Sequence, residues 1–197
     1  EGLVEEYRNR LFPKSKLGVQ LCNLIYQGEA TVRLTGFNNV VFKEDIRVKL
    51  IQTRPYRAPE VIMRLIHGPA ADMWSFGCLL YRLATAEHLF QVHGNNASFR
   101  NEEHLMQIFR TCGRISQVHI HGSPERSKIT SLLNRIRNFP SVYYRLSLKS
   151  MLSNGSCYRK EDVLSLLPLL DGCLRFVSAE RCNAEQILSC LIREREK

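Results

Sequence analysis

One tryptophan, seven prolines and eleven glycines are spread through the 197 residues without forming a low-complexity tract or an internal repeat. No run of about eighteen apolar residues occurs, so no membrane-spanning helix is expected. A secretory leader needs a basic start and an apolar stretch, whereas the first residues mix their charges, as in Glu5-Glu6-Tyr7-Arg8-Asn9-Arg10. The seven cysteines form no C-x-x-C pair and are odd in number. The six histidines show no ligand spacing, and neither a disulfide framework nor a zinc site is expected. Settings such as Phe76-Gly77-Cys78-Leu79-Leu80 favour reduced, buried thiols in a cytoplasmic or nuclear protein.

Acidic residues are also in deficit. Twenty-eight Lys and Arg outweigh nineteen Asp and Glu, for a formal charge of +9 and a pI near 9.4. Between Arg110 and Lys149 eight basic residues face the single acid Glu125. A solvated face is the ordinary outcome of such a run, and no RNA-binding module signature accompanies the interleaved Phe139, Tyr143 and Tyr144. An excess of this size nonetheless suits acidic peptides or RNA, held through carboxylate or phosphate contacts.

At 44% hydrophobic residues, the chain can bury one sizeable core, and residues 1–197 read as a single domain. Helices dominate the pattern. Gly2–Phe12 reads as the end of a helix, and Leu24–Tyr26 with Val32–Leu34 as a small hairpin. Pro59 opens a short helix to about Leu65, broken by Gly68-Pro69. Asp72–Glu87 is apolar at Met73, Trp74, Phe76, Leu79, Leu80 and Leu83, which predicts a central helix. Glu102–Cys112 turns Leu105, Met106, Ile108 and Phe109 inward and ends at Gly113. Residues 161–175 and 183–195 supply two more helices, the second with Asn183 and Gln186 as a capping box. His119-Ile120-His121 reads as a short strand or loop with its histidines in solvent.

The most specific signal is a pair of motifs. Thr53-Arg54-Pro55-Tyr56-Arg57-Ala58-Pro59-Glu60 is followed by Asp72-Met73-Trp74-Ser75-Phe76-Gly77. This pair resembles the end of the activation segment and the next buried helix of eukaryotic protein kinases. Ile51-Gln52-Thr53-Arg54-Pro55-Tyr56-Arg57, Leu83-Ala84-Thr85-Ala86-Glu87-His88-Leu89-Phe90 and Arg100-Asn101-Glu102-Glu103-His104-Leu105 are similar to segments of the SR-protein kinase branch. Its patterns are I-Q-T-R-x-Y-R, L-A-T-G-x-x-L-F and R-D-E-D-H-I. Ala179-Glu180-Arg181 leading to Ala184 matches the kinase pattern near the C-terminus. The likeness covers roughly residues 16–195, with a poorly matched middle from about 114 to 160. It implies a mainly α fold: a protein kinase-like C-lobe with a small β-hairpin, the N-lobe being absent from this chain, which opens on Glu1.

The resemblance also implies what is missing. Neither G-x-G-x-x-G nor V-A-I-K occurs. Against the family's catalytic loop, Gly18 stands at the catalytic-base aspartate, Gln20 at the phosphate-contacting lysine and Asn23 at the retained asparagine. Gly36 stands at the metal-binding aspartate. A glycine offers neither a base nor an oxygen ligand, so Asn23 alone would have to hold the metal. The expected function is therefore pseudokinase-like binding or scaffolding toward a protein partner, with no cofactor. A divergent serine/threonine kinase using ATP and Mg, or a basic RNA-binding module, are the alternatives.

The family roles carry over residue by residue. Glu60 and Arg181 would pair as a structural anchor, Asp72 would accept hydrogen bonds from the catalytic-loop backbone, and Trp74 would pack beneath it. Thr53, opposite Gly18 and Gln20, is left to loop structure, while Tyr56 and Arg57 shape a peptide groove. On the docking helix Glu102 and Glu103 keep part of the acidic groove for arginine-rich peptides. Arg110 stands where the family has a glutamate and should repel them.

Overall fold

The computed structural model describes residues 31, 33–41, 50–93, 96–113, 120–138, 147–155 and 166–195. Among them lie seven α-helices: α1 Pro59–Ile62, α2 Ala70–Thr85, α3 Ala97–Cys112, α4 Arg126–Asn138, α5 Leu148–Gly155, α6 Leu167–Cys173 and α7 Ala184–Arg195. Single 3-10 turns stand at Phe37–Asn39, Arg54–Tyr56 and Ser178–Glu180. No strand occurs among the described residues, and Arg33 and Leu34, expected in a hairpin arm, are in none. The other arm, Leu24–Tyr26, lies outside the described residues, as does the Gly2–Phe12 helix.

Helix α2 is the centre of the molecule. It packs against α6, α5 and the turns at 54–56 and 178–180, while α1 meets α3 and α3 meets α4. Its buried stripe corrects the expectation from sequence. Ala71, Trp74, Gly77, Cys78, Tyr81, Ala84 and Thr85 face inward, whereas Leu79 and Leu83 are 42% and 48% exposed. Small residues won because the neighbouring helix comes close. A Cβ on Gly77 would lie 2.8 Å from the Cβ of Cys173 on α6 and 3.0 Å from Leu174, which leaves room for hydrogen alone.

The helix ends obey local rules. Ala86 closes α2 in the left-handed region at φ 62, its N–H bonding the Arg82 carbonyl at 2.7 Å. Gly113 does the same for α3 at φ 90, donating to Phe109 O at 3.0 Å. At α7 the capping box forms both ways: Gln186 N–H to Asn183 Oδ1 and Asn183 N–H to Gln186 Oε1, each 2.9 Å.

Within the poorly matched middle, α4 and α5 are helices that the sequence reading did not place. Ile129 and Leu132 of α4 and Leu148 and Leu152 of α5 are buried in the main core with Trp74, Phe90 and Ile108. Ile120 is fully buried and His121 exposed, at a turn rather than a strand; Ser123 ties that turn to α1's end by donating to Met63 O at 2.5 Å.

Among the described residues the cysteines at 78, 112, 173, 182 and 190 are in no disulfide. Burial lifts the Cys78 thiol well above its ordinary value and that of Cys173 to about 11, so both stay protonated. Cys190 is exposed, unlike the buried thiols expected.

Candidate functional site

Residues 50–60 cross one end of α2, and a network of side chains holds them there. Gln52 adopts φ 67, an uncommon conformation for a residue with a Cβ. Its amide supplies the compensation. Nε2 donates to Ala71 O at 2.7 Å and Ser75 Oγ at 2.8 Å, and Oε1 accepts from Ala58 N–H at 2.9 Å. Ser75 Oγ donates on to Tyr56 O at 2.8 Å. Arg57 clasps the strained residue from the other side, Nε to Ile51 O at 3.1 Å and Nη2 to Gln52 O at 2.8 Å. Tyr56 and Arg57 thus sit on a braced turn. Thr53 is exposed, and its carbonyl accepts the Tyr56 N–H at 2.9 Å.

Below this turn lies the anchor. Arg181 donates to both oxygens of Glu60, Nη1 to Oε1 and Nη2 to Oε2, each at 2.7 Å. Its other hydrogens go to Arg175 O at 2.8 Å, Ala70 O at 2.8 Å and Phe176 O at 3.1 Å. All five guanidinium donors are used, which is how a buried charge escapes its desolvation cost. The same guanidinium carbon stands 5.0 Å from the centre of the Trp74 ring.

Above it, three arginines converge. Burial first, and then the charge of Arg100, pulls the Arg54 guanidinium below its ordinary value; burial, Arg54 and Arg100 do the same to Arg57. Arg54 Nη1 donates to Asn101 Oδ1 at 2.9 Å, and the Nε of Arg100 is buried with no partner. None of the ion pairs among the described residues engages these three. Like charges gathered and partly dehydrated can be offset by an anion, since guanidiniums grip phosphate or carboxylate with paired hydrogen bonds. In the sequence Arg54 and Arg100 belong to two separate motifs. Nothing in their spacing places α3 against the 54–56 turn.

Next to this platform opens a cavity of about 730 Å³. Gly36, Phe37, Val40, Leu50, Gln52, Thr53, His67 and Asp72 are among its walls. Gly36 sits at φ 80, and no atom lies within 4 Å of where its Cβ would be. Burial raises the Asp72 carboxyl above the usual range, opposed by His67. Gly18, Gln20 and Asn23, with the catalytic-loop contacts expected for Asp72, lie outside the described residues. Among those described, no group of three or more His, Cys, Asp or Glu could hold a metal ion.

Helix α3, expected as a docking helix, presents its acids already engaged. Glu102 pairs with Arg135 of α4 at 3.6 Å, and Glu103 accepts the His93 N–H at 3.1 Å. Arg110 is half-buried in the last turn. Of the basic run, Arg126, Lys128 and Arg135 are exposed on α4 and Lys149 on α5; Lys128 pairs with Glu125 at 2.8 Å. The run is therefore partly neutralised from within, in contrast to the arginine cluster.

The chain is similar to the Probable dual specificity protein kinase madd-3 of Caenorhabditis elegans, at 32% identity over 80% of this chain and 17% of that protein. It is similar to Protein kinase dsk1 of Schizosaccharomyces pombe, 29% over 78% and 28%. SRSF protein kinase 3 of Mus musculus gives 42% over 75% and 25%. The chain thus spans less than a third of the length of each of these three relatives. No helix among the described residues is long and apolar enough to cross a membrane. The family model described as the protein kinase domain matches residues 19–190, nearly the whole sequence, and the chain belongs to that family.

Proposed function

We propose that this kinase-family chain is a pseudokinase-like binding domain of the SR-protein kinase type, and that its activation-segment platform takes acidic or phosphorylated peptide. The cluster of Arg54, Arg57 and Arg100 carries the reading, because three partly buried guanidiniums without a carboxylate among the described ion pairs call for an external anion. The platform supports it, being braced by Gln52, Ser75 and Arg57 through the turn's own bonds to α2. The ATP and Mg that kinases use do not fit the residues present. Gly36 has no side-chain oxygen where the metal aspartate belongs, and Gly18 has no base, so neither position supplies a group for phosphoryl transfer. With Glu102 paired to Arg135, the acidic docking groove is a weaker candidate for arginine-rich partners.

The rival reading is a divergent serine/threonine kinase completed by an N-lobe from elsewhere. It draws on the retained Thr53, Tyr56 and Arg57 and the closed Glu60–Arg181 anchor. Calorimetric titration of paired peptides, one with phosphoserine and one with serine, together with radiolabelled ATP turnover, separates the two. Preference for the phosphoserine peptide, weakened by salt and by Arg100→Ala, with no turnover, is expected. Turnover on an arginine-serine peptide that Asn23→Ala abolishes would establish the enzyme instead. Tighter binding of a single-stranded RNA than of the phosphopeptide would turn the reading to nucleic acid.

A further inference from the structure

His104 has no exposed surface, and neither of its ring nitrogens has a hydrogen-bond partner. It stands one helical turn after Arg100 on α3, and Arg100 likewise carries a buried, unpartnered Nε. The His104 ring packs on Phe90, centroids 5.3 Å apart, and Phe90 stacks on Trp74 at 5.7 Å. An imidazole that merely fills a core ordinarily finds a partner for at least one nitrogen. This one holds an open lone pair, with Arg100 one turn before it on the helix and the charges of Arg54 and Arg57 acting on it.

Arg54 and Arg57 act on the His104 ring from the 54–56 turn, and burial and those two charges together push its pKa down to about 3. On its own helix Arg100 precedes it, while Glu102 and Glu103 are engaged by Arg135 and by the His93 N–H. Glu60 of α1 is neutralised by Arg181. On α4, Glu125 and Lys128 pair with each other, and Lys128 and Arg135 are exposed. After burial, the cations that hold His104 neutral are Arg54 and Arg57, two of the three members of the arginine cluster.

We propose that His104 is a proton acceptor coupled to the arginine cluster: an anion seated on Arg54, Arg57 and Arg100 lets the buried imidazole take a proton from solvent, and that proton tightens the hold on the anion. This rests on the arginine cluster being an anion site, as proposed above. The physics is reciprocal linkage. An opposite charge within reach raises a basic group's affinity for its proton, and whatever the anion does for the proton, the proton does for the anion. A phosphorylated or acidic segment would then bind more tightly as pH falls.

Histidine-selective NMR of the full chain, titrated from pH 8 downward with and without sodium sulfate at constant ionic strength, tests this directly. Sulfate keeps its charge over that range, unlike phosphate. Without it, His104 should stay neutral to the acid limit of the fold; with it, the midpoint should rise by about one unit. The other five histidines serve as internal controls and should stay put. Arg54→Gln should abolish the rise, and His104→Leu, which removes the signal, should remove the pH dependence of sulfate affinity seen by calorimetry. Sulfate binding with an unmoved His104 midpoint would overturn the coupling and leave the anion site standing. An absence of sulfate and phosphopeptide binding would remove the site itself, and the coupling with it.

Discussion

Arg181 and Glu60 meet as a closed fork across 121 residues of sequence, two 2.7 Å bonds joining two side chains that are each more than nine-tenths buried. The fork ties the segment after Tyr56 to the last two helices, so the platform's position depends on a contact made at the far end of the chain. Either alanine substitution alone leaves a buried charge unpaired and should cost about 3–5 kcal/mol in urea denaturation. A double-mutant cycle should give a coupling well above about 0.5 kcal/mol. Near-additive losses would mean that the fork contributes no more than its two separate halves.

Ala86 stands where the resembled SR-kinase pattern has glycine, yet it holds the left-handed φ of 62 that closes α2. A Cβ in that region costs about 1–2 kcal/mol. Ala86→Gly should therefore stabilise the chain by about 1 kcal/mol, with the helix end unchanged. A loss of stability on thermal or chemical unfolding would show that the Ala86 methyl makes a contact worth more than the strain.

Gly77 tests the opposite case. The atom a new Cβ would meet at 2.8 Å is the Cβ of Cys173, fixed to the backbone of α6 and unable to swing aside. Gly77→Ala should destabilise by about 1–3 kcal/mol despite alanine's better helix propensity. Gly68→Ala, with nothing within 4 Å, should stay within about 0.5 kcal/mol and serves as control. Equal effects at the two positions would mean that α2 and α6 separate easily.

Much of this was legible in the sequence, and for identifiable reasons. The segments 53–60, 72–77 and 179–184 carry residue types at spacings that few folds need together, and the capping box at Asn183 is a purely local rule. The inward face of α2 was misjudged because large apolar residues were taken for the buried ones, while the close approach of α6 selects Ala, Gly and Cys. Helices α4 and α5 were missed because their apolar stripes are narrow and the basic residues around them dominate the pattern. The arginine cluster was invisible for a deeper reason. Arg54 and Arg100 are brought together by the packing of α3 against the turn before α1, and no periodicity within either segment encodes that.

His104 makes the fold less stable as the pH falls. Its ring is neutral when folded, with a pKa of about 3 against 6.5 for an unperturbed histidine, burial being the larger cause and Arg54 and Arg57 the rest. The unfolded chain therefore binds the proton more readily. Stability is full above pH 6.5 and is lost as the pH falls from 6.5 toward 3, by about 1.4 kcal/mol per unit from this group. His88, lowered chiefly by burial and then by Arg82, adds a contribution of the same sign, smaller because its ring is partly open to solvent. Urea denaturation at pH 7.5, 6.5 and 5.5 should show the decline. His104→Leu, which replaces an unpartnered polar ring by an apolar group of similar size, should hold stability near wild type at pH 7.5 and be the more stable chain at pH 5.5. Parallel declines in the two proteins would mean that the ring is solvated or partnered in solution. Below about pH 4, a sulfate-dependent flattening of the wild-type decline alone would be the thermodynamic image of the proton–anion coupling, since an anion on the arginine cluster raises the folded-state midpoint by only about one unit from about 3.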